Sequence, residues 1–414
     1  MHILWLKTEL LHPVNRGGRI RTYHMLRALR KQHHITYLTL DDGTSAPNAS
    51  EQALEYCHAV DCIPFRTTAK DSARLFLELA RNGLSRLPYA IAKYASPEMR
   101  RRIREYAASG TIDLIVCDFL APSQNVPDGL GIPSLLFQHN VEAEIWRRHT
   151  SVAPNAVRRA YFRLQWRRME RFEGQECRRF DRVVAVSEAD ARTLRDRYGL
   201  DECPWVPTGV DTDYFSPDSA RPRAPQELVF TGALDWMPNE DGMAFFALEV
   251  LPRIRREIPN ATIVVVGRNP TSRLKSLARE QPGVRLVGEV PDVRPYMNSA
   301  SIFVVPLRIG GGTRLKIYEA MAMAIPVVTT AVGAEGLPVA PGTHALFADD
   351  PAEFAAAVVR LLRAPDEAQA MAQRAATLVR SRFGWDGVAA QFGTICEQTI
   401  QSTRALPATA GVLS

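Results

Sequence analysis

The sequence predicts an α/β protein made of two Rossmann-like domains that face each other across a cleft. Three observations predict it. At 414 residues the chain is long for one hydrophobic core, because cores stop growing at roughly 250–300 residues. Both halves alternate short β-branched runs with longer helical patterns, the rhythm of parallel strands joined by helices. Glycines also recur in the strand-to-helix turns, at 17–18, 232, 267 and 310–312. In an open α/β sheet those turns border the ligand crevice.

Composition narrows the class. Hydrophobic residues make up 46% and charged residues 23%, the balance of a soluble globular enzyme. No apolar run approaches the roughly 18 residues needed to span a bilayer. The first residues, Met-His-Ile-Leu-Trp-Leu-Lys, read as a strand and lack the basic segment and cleavage site of a secretory leader. Cys57, Cys62, Cys117, Cys177, Cys203 and Cys396 are scattered, with no Cys-x-x-Cys pair. They read as reduced core residues of a cytoplasmic protein rather than a disulfide or zinc framework.

The elements follow in order. Residues 2–6 form the first strand. A long loop ends in Asn15-Arg16-Gly17-Gly18, and a helix over 19–31 carries Ile20, Tyr23, Leu26 and Leu29 at helical spacing. Residues 34–40 are the second strand. The glycines would let an anion or a sugar approach. The pattern is not Gly-x-Gly-x-x-Gly, although Asp41-Asp42 keeps a dinucleotide site open as an option. A strand at 59–64 and helices near 70–79 and 97–108 come next, then buried-type strands at 113–117 and 133–138. His139-Asn140-Val141-Glu142 follows the last of these, at the end facing the crevice. A histidine there can act as general base or sugar-binding group, or be a surface residue or helix cap. A helix over about 155–179, a strand at 182–187 and a helix at 188–198 capped by Ser187 complete the half. Residues 208–211 and 217–225 read as the linker.

The second half repeats the rhythm. Strand 228–230 leads to Thr231-Gly232-Ala233-Leu234-Asp235-Trp236-Met237-Pro238-Asn239 and a helix over 240–257. Strand 261–266 ends at Gly267-Arg268. Helix 272–280, strand 284–287 and helix 293–298 lead to strand 301–307. Then come Gly310-Gly311-Gly312, with Thr313 capping a helix over 314–324. A strand at 327–328, another at 345–347 and helices at 351–362, 366–383 and 385–401 close the chain.

The stretch from Gly311 to Glu319 carries the most chemistry. Glycines before a helix let bare amides approach an anion, and the helix dipole favours negative charge there. Arg314 and Lys316 oppose that dipole unless an anion sits between them. Only six of the 51 basic residues are lysine, so Lys316 is a non-generic choice. Glu319, three residues on, can accept hydrogen bonds from ribose hydroxyls. The bland alternative is an ordinary glycine-rich turn with a surface ion pair. Asp211-Thr212-Asp213 has the spacing of a metal pair but lies in the linker, and no metal is expected. No nucleophile elbow, Walker loop or His-Glu-x-x-His occurs.

Net charge is +6 and uneven. Arg147, Arg148, Arg158, Arg159, Arg163, Arg167, Arg168, Arg171, Arg178, Arg179 and Arg182 crowd one segment, and Arg100, Arg101, Arg102 and Arg104 another. Such clusters suit an anionic membrane face or a polyanion, or equally a solvated helical face.

Taken together, these motifs resemble the family-4 glycosyltransferases of the GT-B fold, in particular bacterial members that build polysaccharides. The resemblance rests on Arg16-Gly17-Gly18, His139 to Glu142, Val186-Ser187, Pro207 to Asp211, Val266-Gly267-Arg268 and the block from Gly311 to Val328. It implies a retaining, metal-independent hexosyltransferase that needs no cofactor. The co-substrate would be a UDP- or GDP-sugar, and the acceptor a sugar or lipid-linked sugar. The enzyme would be cytoplasmic and peripheral on an anionic inner membrane, with no nucleic-acid partner. An acceptor-side domain would span 1–207 and a donor-binding domain 208–385. A helix over 386–402 would return to the first domain, and 403–414 would be a flexible tail.

By residue, the resemblance assigns catalysis to His139, Arg314 and Lys316. It assigns donor binding to Gly17, Gly18, Gly232, Gly267, Arg268, Gly311, Gly312, Thr313, Arg314, Lys316 and Glu319, with Asn140 and Glu142 on the acceptor side. Two positions depart from the family. Its signature is Glu-x7-Glu, and Gly311 stands where the first Glu belongs. Ala233 and Asn239 stand where many members carry the Arg and Lys that hold the diphosphate, so Arg314 and Lys316 are where that charge can have moved. Competing readings are a nucleotide-sugar epimerase of the same fold, an NAD(P)-binding oxidoreductase, and a nucleic-acid module using the arginine-rich segment.

Overall fold

A computed structural model describes residues 1–14, 17–66, 68, 78–79, 81–83, 85–151, 155–218, 223–309 and 315–405. The chain divides into two compact units, Met1–Pro207 with Val388–Ser414, and Thr208–Gly387.

The first unit is built on a six-stranded sheet in the order β3-β2-β1-β4-β5-β6. Its strands are β1 (His2–Lys7), β2 (His34–Asp41), β3 (Ala59–Pro64), β4 (Leu114–Asp118), β5 (Ser134–Phe137) and β6 (Arg182–Val184). All pairings are parallel. Ile3, Leu4, Trp5 and Leu6 are all sealed from solvent, as befits a central strand covered on both faces by helices. The chain leaves β1 toward β2 on one side and returns through β4 on the other. The carboxyl ends of β1 and β4 therefore flank the point where strand order reverses, where open α/β sheets bind ligands.

The second unit repeats this topology with β7 (Ala224–Thr231), β8 (Thr262–Val266), β9 (Val284–Gly288), β10 (Ala300–Val305), β11 (Val327–Thr329) and β12 (Leu346–Phe347). Its order is β12-β11-β10-β7-β8-β9, so β7 and β10 flank the reversal. Alternate residues feed separate cores on the two faces. Leu228, Phe230, Ile263 and Val265 pack on one, and Val229, Val264, Val266, Phe303 and Val305 on the other.

Several boundaries differ from the sequence reading. The helix expected over 240–257 starts earlier and is interrupted: α-helix Met237–Phe245, a π-helical turn Phe246–Val250, then α-helix Leu251–Glu257. Pro252 has no N–H to close the α ladder there, which accounts for the wider turn. The strand expected at 228–230 begins at Ala224, shortening the linker. The last helix is Trp385–Ala405, so residues 403–405 belong to it and not to a tail. The helix expected near 70–79 lies mostly outside the described residues, as do 310–314 and 406–414.

The last helix changes unit partway. From Val388 onward it belongs to the first unit, where Val388, Phe392 and Cys396 are buried. Phe392 packs against Trp5 and Phe137, with ring centroids 5.7 and 4.8 Å away.

Candidate functional site

In the first unit the register of β1 and β4 sets Leu6 beside Cys117, so Lys7 and Asp118 end their strands side by side. Lys7 Nζ donates to Asp118 Oδ2 at 2.7 Å and to Thr22 Oγ1 at 2.8 Å. The Thr22 hydroxyl and the Trp5 indole N–H donate to the same carboxylate oxygen, at 2.6 and 3.1 Å. Lys7 and Asp118 are 2% and 0% exposed, so each neutralises a charge the other could not carry alone in that environment. Burial alone would raise the Asp118 pKa. The Lys7 and His139 side chains outweigh burial and hold the carboxyl well below the usual range.

His139, two residues past β5, places Nε2 at 2.7 Å from Asp118 Oδ1. The contact lies off the direction of a hydrogen bond, and both atoms lack a well-aligned partner. Burial pushes the imidazole down to about 4, against the pull of Asp118 and with help from Arg21 and Lys7. The ring is therefore neutral at neutral pH. A carboxylate facing Nε2 favours the proton on that nitrogen and leaves Nδ1 as the basic atom.

Phe119 completes the arrangement. Its φ of 72° is a strained value for a bulky residue. That backbone stacks its ring on His139, with centroids 3.8 Å apart, and puts it 4.2 Å from Lys7 Nζ. A Cβ on Gly18 would come within 3.0 Å of the ring, so the glycine permits the close approach.

Glu142 begins the helix Glu142–Ser151. The buried Glu173 carboxylate caps that end, accepting from the Glu142 and Ala143 amides at 2.8 and 3.1 Å and from the Tyr198 hydroxyl at 2.6 Å. A negative charge at a helix N-terminus is favourable. Burial, together with the Glu173 charge, pushes the Glu142 carboxyl up to about 7, while a hydrogen bond from Asn140 opposes the shift.

In the second unit Gly232 follows β7 and Gly267 follows β8. A Cβ on Gly267 would fall 1.7 Å from the Gly232 carbonyl oxygen, so only glycine fits. A Cβ on Gly232 would lie 2.6 Å from Lys316 Nζ and 2.9 Å from Asn239 Nδ2. The Lys316 ammonium donates to Asn239 Oδ1 at 3.0 Å and sits 4.1 Å from the centre of the Phe230 ring. Asn239 is itself held by the Ala233 carbonyl at 2.8 Å. The two positions singled out for lacking charge, 233 and 239, thus lie next to the ammonium of Lys316. One turn along the helix Leu315–Ala322, Glu319 accepts no hydrogen bond at its carboxylate among the described residues. Burial pushes it up to about 7, against the Lys316 charge. Arg268 accepts from the Leu234 amide through its main-chain oxygen at 2.9 Å.

The structure therefore gathers Gly232, Gly267, Arg268, Lys316 and Glu319 at one reversal point, and Gly18, His139 and their neighbours at the other. Gly17 opens the helix Gly17–Leu29. Gly311, Gly312, Thr313 and Arg314 lie outside the described residues. Sequence reasoning missed Lys7, Thr22, Asp118, Phe119 and Glu173. Lys7 and Asp118 did leave a signal: each is a charged residue ending an otherwise apolar strand. Asp211 turns its carboxylate onto the Asp213 and Tyr214 amides, at 3.2 and 2.9 Å.

Two doubly wound units of matching topology, each with glycine turns and a lysine held at its reversal point, define the chain as a two-domain α/β protein of the GT-B type. A family model described as Glycosyltransferase Family 4 matches residues 16–214, and one described as Glycosyl transferases group 1 matches 225–364. The chain belongs to the family-4 glycosyltransferases. It is similar to D-inositol 3-phosphate glycosyltransferase 2 of Catenulispora acidiphila, at 30% identity over 55% of this chain and 58% of that protein. It is also similar to phosphatidyl-myo-inositol mannosyltransferase of Mycolicibacterium smegmatis, at 28% identity over 52% and 56%. The chain thus spans little more than half the length of these curated relatives. In fold it is similar to Anabaena HepE, solved in complex with UDP and glucose, with a TM-score of 0.64 and 12% identity over 95% of this chain and 99% of that one.

Proposed function

We propose that the protein transfers a sugar from a nucleotide-diphosphate donor to an acceptor hydroxyl, with retention and without a metal ion, in the assembly of a cell-surface polysaccharide or glycolipid. The observation that carries this reading is the Lys316 ammonium held by Asn239 and Phe230 beside Gly232 and Gly267. It joins a fixed cation to a turn of bare backbone at the reversal point of the second unit. The sugar–phosphate bond breaks as negative charge grows on the diphosphate. Positive charge fixed in advance where that charge develops is the largest expected contribution to rate. Lys316 takes this role with Arg314, the amides of Gly312 to Arg314, and the Gly17-Gly18 turn. Glu319 holds the ribose. His139, neutral, positions the sugar or takes the acceptor proton, with Asn140 and Glu142 on the acceptor side. Gly267-Arg268 and the turn near Val290 frame the base.

Two likenesses support the choice of substrates. One fold neighbour was solved with UDP and glucose, and one relative is named for a phosphatidyl-inositol acceptor. A peripheral membrane position rests on the helix Ala156–Arg179, whose first half exposes Arg158, Arg159, Arg163 and Arg167 beside Val157 and Leu164. No described helix is long and apolar enough to cross a membrane.

A thermal-shift panel of UDP-, GDP- and ADP-sugars tests the reading. One donor class should raise the melting temperature, and Lys316→Ala should lose that shift and at least tenfold in turnover, since a hydrogen bond to a charged group contributes about 1.5–3 kcal/mol. No shift with any donor, or full activity in Lys316→Ala, would count against it. Product analysis without acceptor separates transfer from epimerisation.

A further inference from the structure

Phe119 holds a backbone conformation that disfavours it. Its φ of 72° lies in the left-handed region, where a side chain this bulky is strained and glycine is not. The other left-handed non-glycine residues among those described are Asn269, a type that tolerates the region, and Ala324, whose side chain is small. The chain is pinned at Phe119 from both sides. Its amide donates to the Phe137 carbonyl at 2.9 Å, and its own carbonyl faces the Cys117 thiol at 3.4 Å. Strain of this kind persists where the surroundings over-determine it, and it gathers at functional sites.

The strained backbone aims the ring. The ring stacks on the His139 imidazole, with centroids 3.8 Å apart and planes 26° from parallel. Phe137 meets the same imidazole edge-on, at 4.6 Å and 62°. Two phenyl rings therefore fix the plane of the imidazole. Phe119 is only partly buried, whereas His139, Asp118 and Lys7 beside it are 6%, 0% and 2% exposed. The Phe119 ring is thus the boundary between water and the buried charges.

The pair behind that boundary is held short of completion. His139 Nε2 and Asp118 Oδ1 are 2.7 Å apart, yet out of line for a hydrogen bond, and both atoms are sealed from solvent. An imidazole free to turn would swing into line with the carboxylate and take a proton as its paired cation. The stacked ring prevents that turn. Around the imidazole stand Lys7 on β1, Asp118 on β4 and Arg21 on the first helix, with Glu142 opening the helix that follows. Burial is the main cause that lowers His139 to about 4, and the Phe119 ring supplies part of that burial. An aromatic face by itself favours a cation, but the Lys7 ammonium already sits 4.2 Å from this one.

We propose that Phe119 is a positioning residue for His139: its ring clamps the imidazole out of line with Asp118 and away from water, leaving the basic nitrogen to a ligand. Only the bearing of this clamp on sugar transfer rests on the transferase reading.

The test is an NMR titration of the full chain with labelled histidine imidazoles, the His139 signals being assigned through His139→Gln. Two variants separate ring from backbone. Phe119→Gly removes the ring and relieves the strain. Phe119→Leu keeps the strain and an apolar cover but loses the flat face. In Phe119→Gly the pH at which His139 titrates should rise by about one unit or more, as water and an aligned Asp118 reach the ring. Phe119→Leu should fall between that and the unmodified protein. The melting temperature of Phe119→Gly should stay nearly level, because the lost stacking and the relieved strain are of like size. A ring with a purely structural role would instead lower it clearly and leave His139 where it was. On the transferase reading, Phe119→Gly should also lose about tenfold or more in kcat, while the KM for the nucleotide sugar holds.

An unchanged His139 titration in Phe119→Gly overturns the proposal. So does a Phe119→Gly chain that fails to fold beside a Phe119→Leu chain whose His139 signals match the unmodified protein. If His139 shifts as expected and the unmodified protein transfers no sugar, the clamp stands and the transferase reading falls.

Discussion

Lys7 and Asp118 share one buried environment, and neither can be removed alone without leaving a charge that water cannot reach. Lys7→Met should therefore destabilise the protein by about 3–5 kcal/mol in denaturant unfolding. The double variant Lys7→Met/Asp118→Asn, which removes both charges, should recover much of that loss. Equal stability of the two variants would show that the pair is not coupled. His139 gives a pH signature with a definite sign. Its folded value, about 4, lies below the ordinary histidine value of 6.5. Between those limits the unfolded chain binds more protons, so stability is present above 6.5 and is lost as pH falls toward 4. The loss should be on the order of 2–3 kcal/mol, and His139→Gln should flatten it in unfolding curves taken across that window. Asp118, held below the usual carboxylate range, adds a further loss at lower pH. Little of this network was legible in the sequence. His139 stood out because it follows a strand end, but Lys7, Asp118 and Thr22, which build the network it joins through Asp118, come from β1, β4 and the first helix, 132, 21 and 117 positions away. Only the parallel register brings them together.

At the scale of elements, the helix Glu142–Ser151 depends on a cap delivered from another helix. Glu173 takes two amides of its first turn and a tyrosine hydroxyl. Glu173→Ala should leave those donors buried and unmatched, lower stability by about 1–3 kcal/mol, and speed amide exchange across residues 142–146. Unchanged exchange there would mean the helix holds itself. Strands were the most legible elements, because parallel strands buried on both faces read as continuous apolar runs such as Leu-Ile-Val-Cys and Thr-Ile-Val-Val-Val. Boundaries were less legible wherever the backbone ladder decides them. The π-helical turn before Pro252 is one such place, since hydrophobic spacing does not reveal a shift in hydrogen-bond partner. The cap from Glu173 is another, because it lies about thirty residues from the amides it serves.

For the whole molecule, glycine-marked turns at each half's strand ends made a two-unit α/β chain readable. The repeated strand order was not readable, since neighbours in a parallel sheet are chosen by how helices pack across it. The last helix ties the molecule together in sequence as well. It begins in the second unit and, from Val388 on, supplies core residues to the first, where Phe392 meets Trp5 and Phe137. Removing residues 385–405 should therefore unfold the first unit, although nearly all of that unit lies at the other end of the chain. Limited proteolysis should show it, with cleavage spreading through residues 1–207, and a synthetic 385–405 peptide should restore protection. On the ribosome the same arrangement sets an order of events. The nascent first unit waits, with its hydrophobic wall open beside Trp5, until the whole second unit and the final helix have been made. Chaperone engagement during synthesis should fall within that interval.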